Sequence, residues 1–136
     1  MNKYYEYKKN KENGVSNFAG LFWAFNQEQL REGIKKVGAT KDNKIVSIGA
    51  GGYILKSRIA DFEKLMKDLK TGLKTKLKTK SFFYDAMYYE LCNHEYCITM
   101  NTEEALETLN INEKWIEKNK LTEEYKKAKK DAMKNY

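Results

Sequence analysis

The sequence predicts an α+β fold, with a small antiparallel β-sheet from the N-terminal third packed by about five helices in a single domain. Its 136 residues fit one domain. Short aromatic-rich stretches dominate up to residue 56, whereas apolar residues farther along recur every three or four positions. Strands that precede helices in this way are typical of an α+β arrangement. We therefore expect residues 1–56 to be mostly strands plus one helix, and residues 57–136 to be mostly helical.

The first 25 residues are expected to form two strands. The stretches "YYEYKK" and "FAGLFWAF" are rich in aromatic residues, and the polar "NKENGVSN" between them resembles a hairpin connection. Both alternating faces of the second stretch are apolar. It is therefore expected to be a central strand or one covered on both sides.

A helix is expected after this strand, followed by further β-structure. Asn26 is an N-cap candidate with Gln29 in capping-box position, and Gly38 suits the residue just past the helix end. The next stretch, "KIVSIGAGGYIL", is expected to form one strand bent at its glycines or two short strands.

The second half of the chain reads as consecutive helices. Ser57 can cap a long helix, whose apolar seam comprises Ile59, Phe62, Met66, Leu69, Leu73 and Leu77. Gly72 is expected to break this helix, and residues 72–80 fit a helix, a strand or a loop equally well. Ser81 opens the next helix, which is expected to run toward Cys97. Three more helices are expected, with caps at Asn101, Asn112 and Thr122 and with Tyr125, Ala128 and Ala132 as the inner stripe of the last.

The net charge of +7 is unevenly distributed along the chain. Residues 64–80 contain seven lysines and one aspartate, a net +6, whereas residues 81–119 contain two lysines and eight acidic residues, a net −6. Helical phase places Lys64, Lys67, Lys74 and Lys78 on one face. Such a face can contact RNA, DNA or an acidic protein surface. A solvated lysine face without a partner is the simpler interpretation.

The glycine cluster "GAGG" raises the question of an anion or nucleotide pocket. Gly49, Gly51 and Gly52, together with Lys56 and Arg58, could surround a phosphate. However, their spacing matches neither a Walker loop nor a dinucleotide fingerprint, and three residues separate the glycines from Lys56. A bulge, or a place where another group approaches the backbone closely, is the interpretation we favour.

The stretch "YYELCNHEYCIT" contains the one histidine and both cysteines of the chain. In a continuous helix Cys92 points away from His94, so a converging metal site is not expected. Glu90 and His94 instead share an apolar face, which predicts a structural polar pair; acid–base catalysis by this pair is the alternative. Tyr84 and Tyr88 leave that apolar face and are candidate aromatic anchors for a partner.

Three blocks together carry a resemblance to a known group of proteins. They are "FWAFNQEQLREGIKKVG", "IVSIGAGGYILKS" and "YELCNHEYCITMNTEEALETLNI", within residues 18–112. They resemble a family of small, mostly uncharacterised proteins of phages, prophages and mobile elements. The resemblance carries no catalytic set with it. It implies a genomic setting in which small proteins often inhibit host defence, as anti-CRISPR proteins do.

These observations lead to a functional hypothesis. We expect a non-enzymatic binding protein that inhibits a host defence protein or ribonucleoprotein, such as a CRISPR effector, without a cofactor. The N-terminus lacks the apolar stretch of a secretory signal and no apolar run is long enough to span a membrane, so the expected location is the cytoplasm of the bacterial host. A small-ligand or nucleotide sponge around the glycine cluster is one alternative, and an enzyme using Glu90 and His94 is another.

Overall fold

Three strands and eight α-helices make up residues 1–134, the part of the chain that the computed structural model describes. In chain order they are α1 Lys3–Ser16, β1 Leu21–Trp23, α2 Gln27–Val37, β2 Ile45–Gly49, β3 Gly52–Leu55, α3 Ile59–Lys76, α4 Lys80–Asn93, α5 Tyr96–Thr99, α6 Glu103–Leu109, α7 Glu113–Lys118 and α8 Thr122–Met133. The predicted α+β fold is confirmed, with one three-stranded antiparallel sheet. None of these helices is long and apolar enough to cross a membrane.

Two compact units divide the chain. Residues 10–68 form one, which contains the sheet and is called the sheet unit below. Residues 1–9 and the chain from residue 69 onward form the other, which is called the helical unit. Helices α1 and α3 contribute residues to both units.

The sheet unit contains strands in the order β1-β3-β2. β2 and β3 are two short strands joined by a tight turn, in which Ala50 and Gly51 have φ values of 51° and 80°. Two successive positive φ angles are typical of the type I′ turn that matches strand twist. The expectation that β1 is central is wrong, since β3 takes that place. The alternative, that β1 is covered on both sides, agrees with Leu21 and Phe22, which point to opposite faces and are both buried. The Phe22 ring stacks on Tyr53 with 5.5 Å between ring centroids.

Helix α2 has the ends that the sequence predicts. The Asn26 side chain accepts a hydrogen bond from the Gln29 amide at 2.8 Å, and the Gln29 side chain accepts one from the Phe25 amide at 2.8 Å. Gly38 follows the helix with a left-handed φ of 72°. These contacts are local in sequence, which explains why pattern alone found them.

The predicted N-terminal strand is wrong, because "YYEYKK" belongs to helix α1. Tyr4 and Tyr7 are three residues apart and therefore share one helix face. Both rings contact Phe82 of α4, at centroid distances of 6.0 Å and 5.9 Å. Asn2 also accepts a hydrogen bond from the Tyr5 amide at 2.9 Å, which satisfies one free amide of the first turn. Packing against α4 thus outweighs the strand preference of the tyrosines.

The core of the helical unit is built around α4. Its buried apolar residues are Phe82, Phe83, Ala86, Met87 and Leu91. Helix α8 packs on α4 and buries Tyr125, Ala128 and Ala132, as its predicted stripe requires. The predicted cap of α7 is also confirmed, since the Asn112 side chain accepts from the Trp115 amide at 2.8 Å.

Helix α3 differs from its prediction at both ends. Gly72 does not break it, because Leu73 packs against the core of the helical unit and Leu77 is fully buried in it just beyond the helix. Ser57 is not its cap. The Ser57 hydroxyl accepts a hydrogen bond from the Asn43 side chain at 2.9 Å, within a short 3-10 turn, Lys56–Arg58, that precedes α3.

Helix α4 ends earlier than expected, at Asn93 rather than near Cys97. Glu95 has a left-handed φ of 56°, which interrupts the helix before α5 begins. The extra turn of α5 and the unexpected α1 raise the number of helices above the expected count.

Candidate anion-binding groove

A groove with three lysines along one wall lies in the helical unit. Its volume is about 340 Å³, and its lining residues are Lys70, Thr71, Lys74, Thr75, Lys78 and Asn110. A second groove of about 390 Å³ is lined by Lys74, Glu107, Asn110, Ile111, Asn112 and Trp115. The two adjoin because they share Lys74 and Asn110. We call them together the lysine groove.

The lysine wall follows from the geometry of α3. Lys70 and Lys74 are four residues apart, so they lie on the same side of the helix and about 6 Å apart along its axis. Lys78 continues the series in the turn after the helix, where its amide donates to the Thr75 carbonyl at 3.2 Å. The neighbouring Leu77 is fully buried and fixes this turn on the core, while Lys78 stays exposed.

The opposite wall is the segment that joins α6 to α7. Asn110 ends α6 with a left-handed φ of 56°, and its amide donates to the Glu107 carbonyl at 3.0 Å. Ile111 is buried and holds the segment down. The Asn112 side chain then caps the start of α7, which places Trp115 on the groove. The centroid of the Trp115 ring lies 6.4 Å from that of the Phe83 ring. Trp115 is consequently half-buried and well supported.

The electrostatic character of the groove is positive. Lys70, Lys74 and Lys78 take part in none of the ion pairs formed within residues 1–134. Of the described residues, Glu107 is the one acidic side chain in the lining, and it belongs to the wall with Trp115. Three ammonium groups without carboxylate partners favour an anionic ligand.

The structure gathers half of the predicted lysines at this site. Lys74 and Lys78 line the groove, whereas Lys64 and Lys67 belong to the sheet unit. Sequence reasoning missed Lys70, although its four-residue spacing from Lys74 was a usable signal. It also missed the wall formed by α6 and α7, for which a single sequence carries no signal.

The predicted aromatic anchors are partly buried in the helical unit. Tyr84 donates a hydrogen bond to the Asp131 carboxylate of α8, and its ring stacks on Tyr88 with 6.1 Å between centroids. Burial, together with the hydrogen bond to Asp131, raises the pKa of Tyr84 to about 12. Lys127 lies over the same ring at 5.1 Å. Tyr84 is therefore a packing residue between α4 and α8.

The residues of the predicted anion pocket are not gathered in one place. Gly49, Gly51 and Gly52 surround the turn at one end of β3, and Lys56 follows its other end, about 13 Å away for four extended residues. The Phe25 ring covers the turn so closely that a Cβ on Gly51 would lie 2.4 Å from it. The close approach of another group to these glycines, which we favoured, is therefore confirmed.

Arg58 of that predicted pocket already has its own partners. Its guanidinium pairs with Asp61 at 2.8 Å, donates to the Ala19 carbonyl at 3.2 Å and lies 4.7 Å from the Phe18 ring. These contacts anchor the start of α3 within the sheet unit.

The predicted side-chain pair of Glu90 and His94 is wrong. Glu90 is fully buried and accepts a hydrogen bond from the Tyr4 hydroxyl at 2.8 Å, with the Lys8 ammonium 3.8 Å away. Burial and the bond to Glu90 raise the pKa of Tyr4. His94 is the C-cap of α4, and its amide still donates to the Glu90 carbonyl at 2.9 Å, but the Glu90 side chain is engaged by Tyr4 and does not bond to the His94 ring.

The His94 side chain contacts α6 instead of the Glu90 side chain. Its Nδ1 lies 3.0 Å from a Glu104 carboxylate oxygen, and its Nε2 lies 3.1 Å from the Thr108 hydroxyl. Thr108 itself donates to the Glu104 carbonyl at 2.8 Å, so its hydroxyl proton is already engaged. Cys92 and Cys97 are unpaired thiols, and no cluster of three metal-ligating side chains occurs among the residues described.

Comparison with known proteins gives a family and no activity. No match was found among curated proteins or among solved structures. A family model described as a family of unknown function, DUF7659, matches residues 4–131 and so covers both units of the fold. The chain therefore belongs to the DUF7659 family.

Proposed function

We propose that this protein is a non-enzymatic binding protein of phage or mobile-element origin that inhibits a host defence nucleoprotein by occupying its surface, as an anti-CRISPR protein does. The lysine groove is the observation that carries the proposal. It offers three lysines that have no ion-pair partner in the described part of the chain, together with an aromatic side chain, which suits RNA or an acidic protein face. The genomic setting implied by the three sequence blocks supports the choice of a defence target.

The direct test is phage plating on isogenic bacterial strains that each carry one defence system, with and without the protein. We expect the protein to restore plating on a strain whose defence complex contains RNA, such as a CRISPR strain. It should have no effect on the parent strain that lacks the system. The Lys70→Glu/Lys74→Glu/Lys78→Glu variant should lose this effect, because charge reversal repels the anionic partner.

A matched control keeps the charge change and moves it elsewhere. Lys9, Lys126 and Lys130 are exposed lysines of the helical unit that do not line the groove. Their triple change to glutamate alters the net charge by the same amount and should leave inhibition intact. Equal loss of inhibition in both triple variants would contradict a role for the groove. No inhibition of any strain by the unaltered protein would contradict the proposed function itself.

A further inference from the structure

We infer that the lysine groove binds a short single-stranded segment of nucleic acid, with successive phosphates along Lys70, Lys74 and Lys78 and one base against Trp115. This inference rests on the proposed function and names the chemical class of the ligand that the basic surface binds. The two adjoining grooves differ in character, and this difference carries the inference.

The first groove suits a row of phosphates. Its three lysines follow one another at steps of about 6 Å along α3 and the turn after it. That step is close to the separation of phosphates in an extended single strand. Thr75 donates its own hydroxyl proton to the Thr71 carbonyl at 3.2 Å, so the ammonium groups are the main donors on this wall.

The second groove suits a base rather than a phosphate. Trp115 offers an indole ring that Phe83 supports from behind, and such rings stack on bases of any sequence. The Glu107 carboxylate would repel a phosphate, but it can accept a hydrogen bond from the exocyclic amino group of a base. The side-chain carbonyl oxygen of Asn112 already accepts the hydrogen bond that caps α7. The NH₂ group of the same side chain is therefore the group that can donate a hydrogen bond to a base.

Lys74 and Asn110 line both grooves, so they connect the groove that suits phosphates with the groove that suits a base. A strand whose phosphates follow the lysines can turn one base into the neighbouring groove. A base in a duplex is stacked and paired, so it does not reach a half-buried tryptophan without unpairing. The arrangement therefore favours a single strand over a duplex. RNA and DNA share the phosphates and bases that these contacts use.

The test uses Trp115 as its own reporter. The chain has two tryptophans, so the Trp23→Phe variant leaves Trp115 as the sole tryptophan. This full-length variant is titrated with a single-stranded RNA of about eight nucleotides, a DNA of the same sequence, an abasic strand of equal length and an RNA duplex. Tryptophan fluorescence reports base stacking, and anisotropy of a labelled strand reports binding.

We expect the single-stranded RNA or DNA to quench Trp115, and the stronger of the two identifies the source of the strand. The abasic strand should bind without quenching. The duplex should bind about 10-fold more weakly, which corresponds to the loss of one stacked base. Three phosphate contacts predict a loss of affinity of about 20-fold between about 50 and 200 mM salt. The groove triple variant should abolish quenching, and the Lys9, Lys126 and Lys130 control should retain it.

Two results would overturn the inference. One is equal affinity for the duplex and the single strand without quenching, which would mean that only phosphates are bound. The other is quenching that persists in the groove triple variant, which would place the strand elsewhere. In either case restored phage plating would still support the proposed function. Conversely, quenching without any effect on plating would support the nucleic-acid site while the inhibitor role failed.

Discussion

At the scale of single residues, Glu90 is the side chain of the helical unit whose burial depends most on its hydrogen bonds. It is a fully buried carboxylate, and its Oε2 accepts from Tyr4 while its Oε1 has no hydrogen-bond partner among residues 1–134. A buried carboxylate depends strongly on each donor that it has. The contact also joins residues far apart in sequence, so it tightens α1 onto α4.

The first prediction concerns this hydrogen bond. Tyr4→Phe removes the donor but keeps the ring, and we expect the free energy of unfolding to fall by about 1–3 kcal/mol. Tyr5→Phe is the matched control, because Tyr5 neighbours Tyr4 on α1 but is 47% exposed, so it should cost less than about 0.5 kcal/mol. Urea unfolding followed by circular dichroism measures both. Equal effects of the two changes would argue against a structural role for the bond.

The second prediction concerns pH and Tyr84. Its pKa in the folded protein is raised from 10 to about 12, so the unfolded chain loses this proton first as pH rises. Stability should therefore be unaffected by this group below pH 10 and should fall between about pH 10 and 12. Tyr84→Phe should flatten that part of the curve of unfolding free energy against pH. An unchanged slope in the variant would show that other groups cause the decline.

At the scale of elements, two helix glycines that look alike in sequence have different surroundings. A Cβ at Gly33 of α2 would lie 2.1 Å from the Phe22 ring, whereas a Cβ at Gly72 of α3 would meet nothing within 4 Å. Gly33 thus lets α2 approach β1 closely. Gly72 only weakens the helix in which it lies.

The third prediction follows from this contrast. Gly33→Ala should lower the free energy of unfolding by about 1–3 kcal/mol, because the buried Phe22 ring must move. Gly72→Ala should raise it by about 1 kcal/mol through helix propensity. Thermal and urea unfolding of the two variants measure the opposite signs. Stabilisation by both alanines would mean that Phe22 adapts freely.

The elements that the sequence predicted well are those with local signals. Asn26 and Asn112 cap α2 and α7 through bonds to amides three residues away, so their patterns sufficed. Helix α1 was missed because its tyrosines suit a strand equally well, and the contacts of those tyrosines with Phe82 and Glu90, which favour the helix, are far along the chain. In the groove, Lys74 and Lys78 were predictable from helical phase. The wall that contains Trp115 was not predictable, because tertiary packing places the segment between α6 and α7 beside the lysines.

At the scale of the whole molecule, a change in net charge at the lysine groove should have little effect on the free energy of unfolding. The groove lysines have no ion pairs among the described residues, so their loss breaks no ion pair, and Lys74 loses only its interaction with the C-terminal dipole of α3. Three lysine-to-glutamate changes alter the charge by −6 and would reduce the formal net charge from +7 to +1. The chain would then keep its fold while its electrostatic field changes.

The fourth prediction tests this separation. The Lys70→Glu/Lys74→Glu/Lys78→Glu variant should unfold within about 1 kcal/mol of the unaltered protein, because no ion pair is lost and an acidic residue in the last turn of α3 opposes only the helix dipole. Its solubility at neutral pH should fall, since a net charge near zero weakens repulsion between molecules. Urea unfolding and precipitation with ammonium sulfate measure the two effects. A large loss of stability would mean that the lysines support the fold.

The bond between Tyr4 and Glu90 spans 86 positions of the chain, and this has a consequence during synthesis. Residues 3–9 leave the ribosome long before α4 is made, at the pace of translation. Until then the tyrosine face of α1 has no partner to cover it. Residues 3–9 must stay unattached, or be shielded by a chaperone, while the residues of the sheet unit emerge. The helical unit is thus completed only after the whole sheet unit has been made, although residues 3–9 precede that unit in the chain.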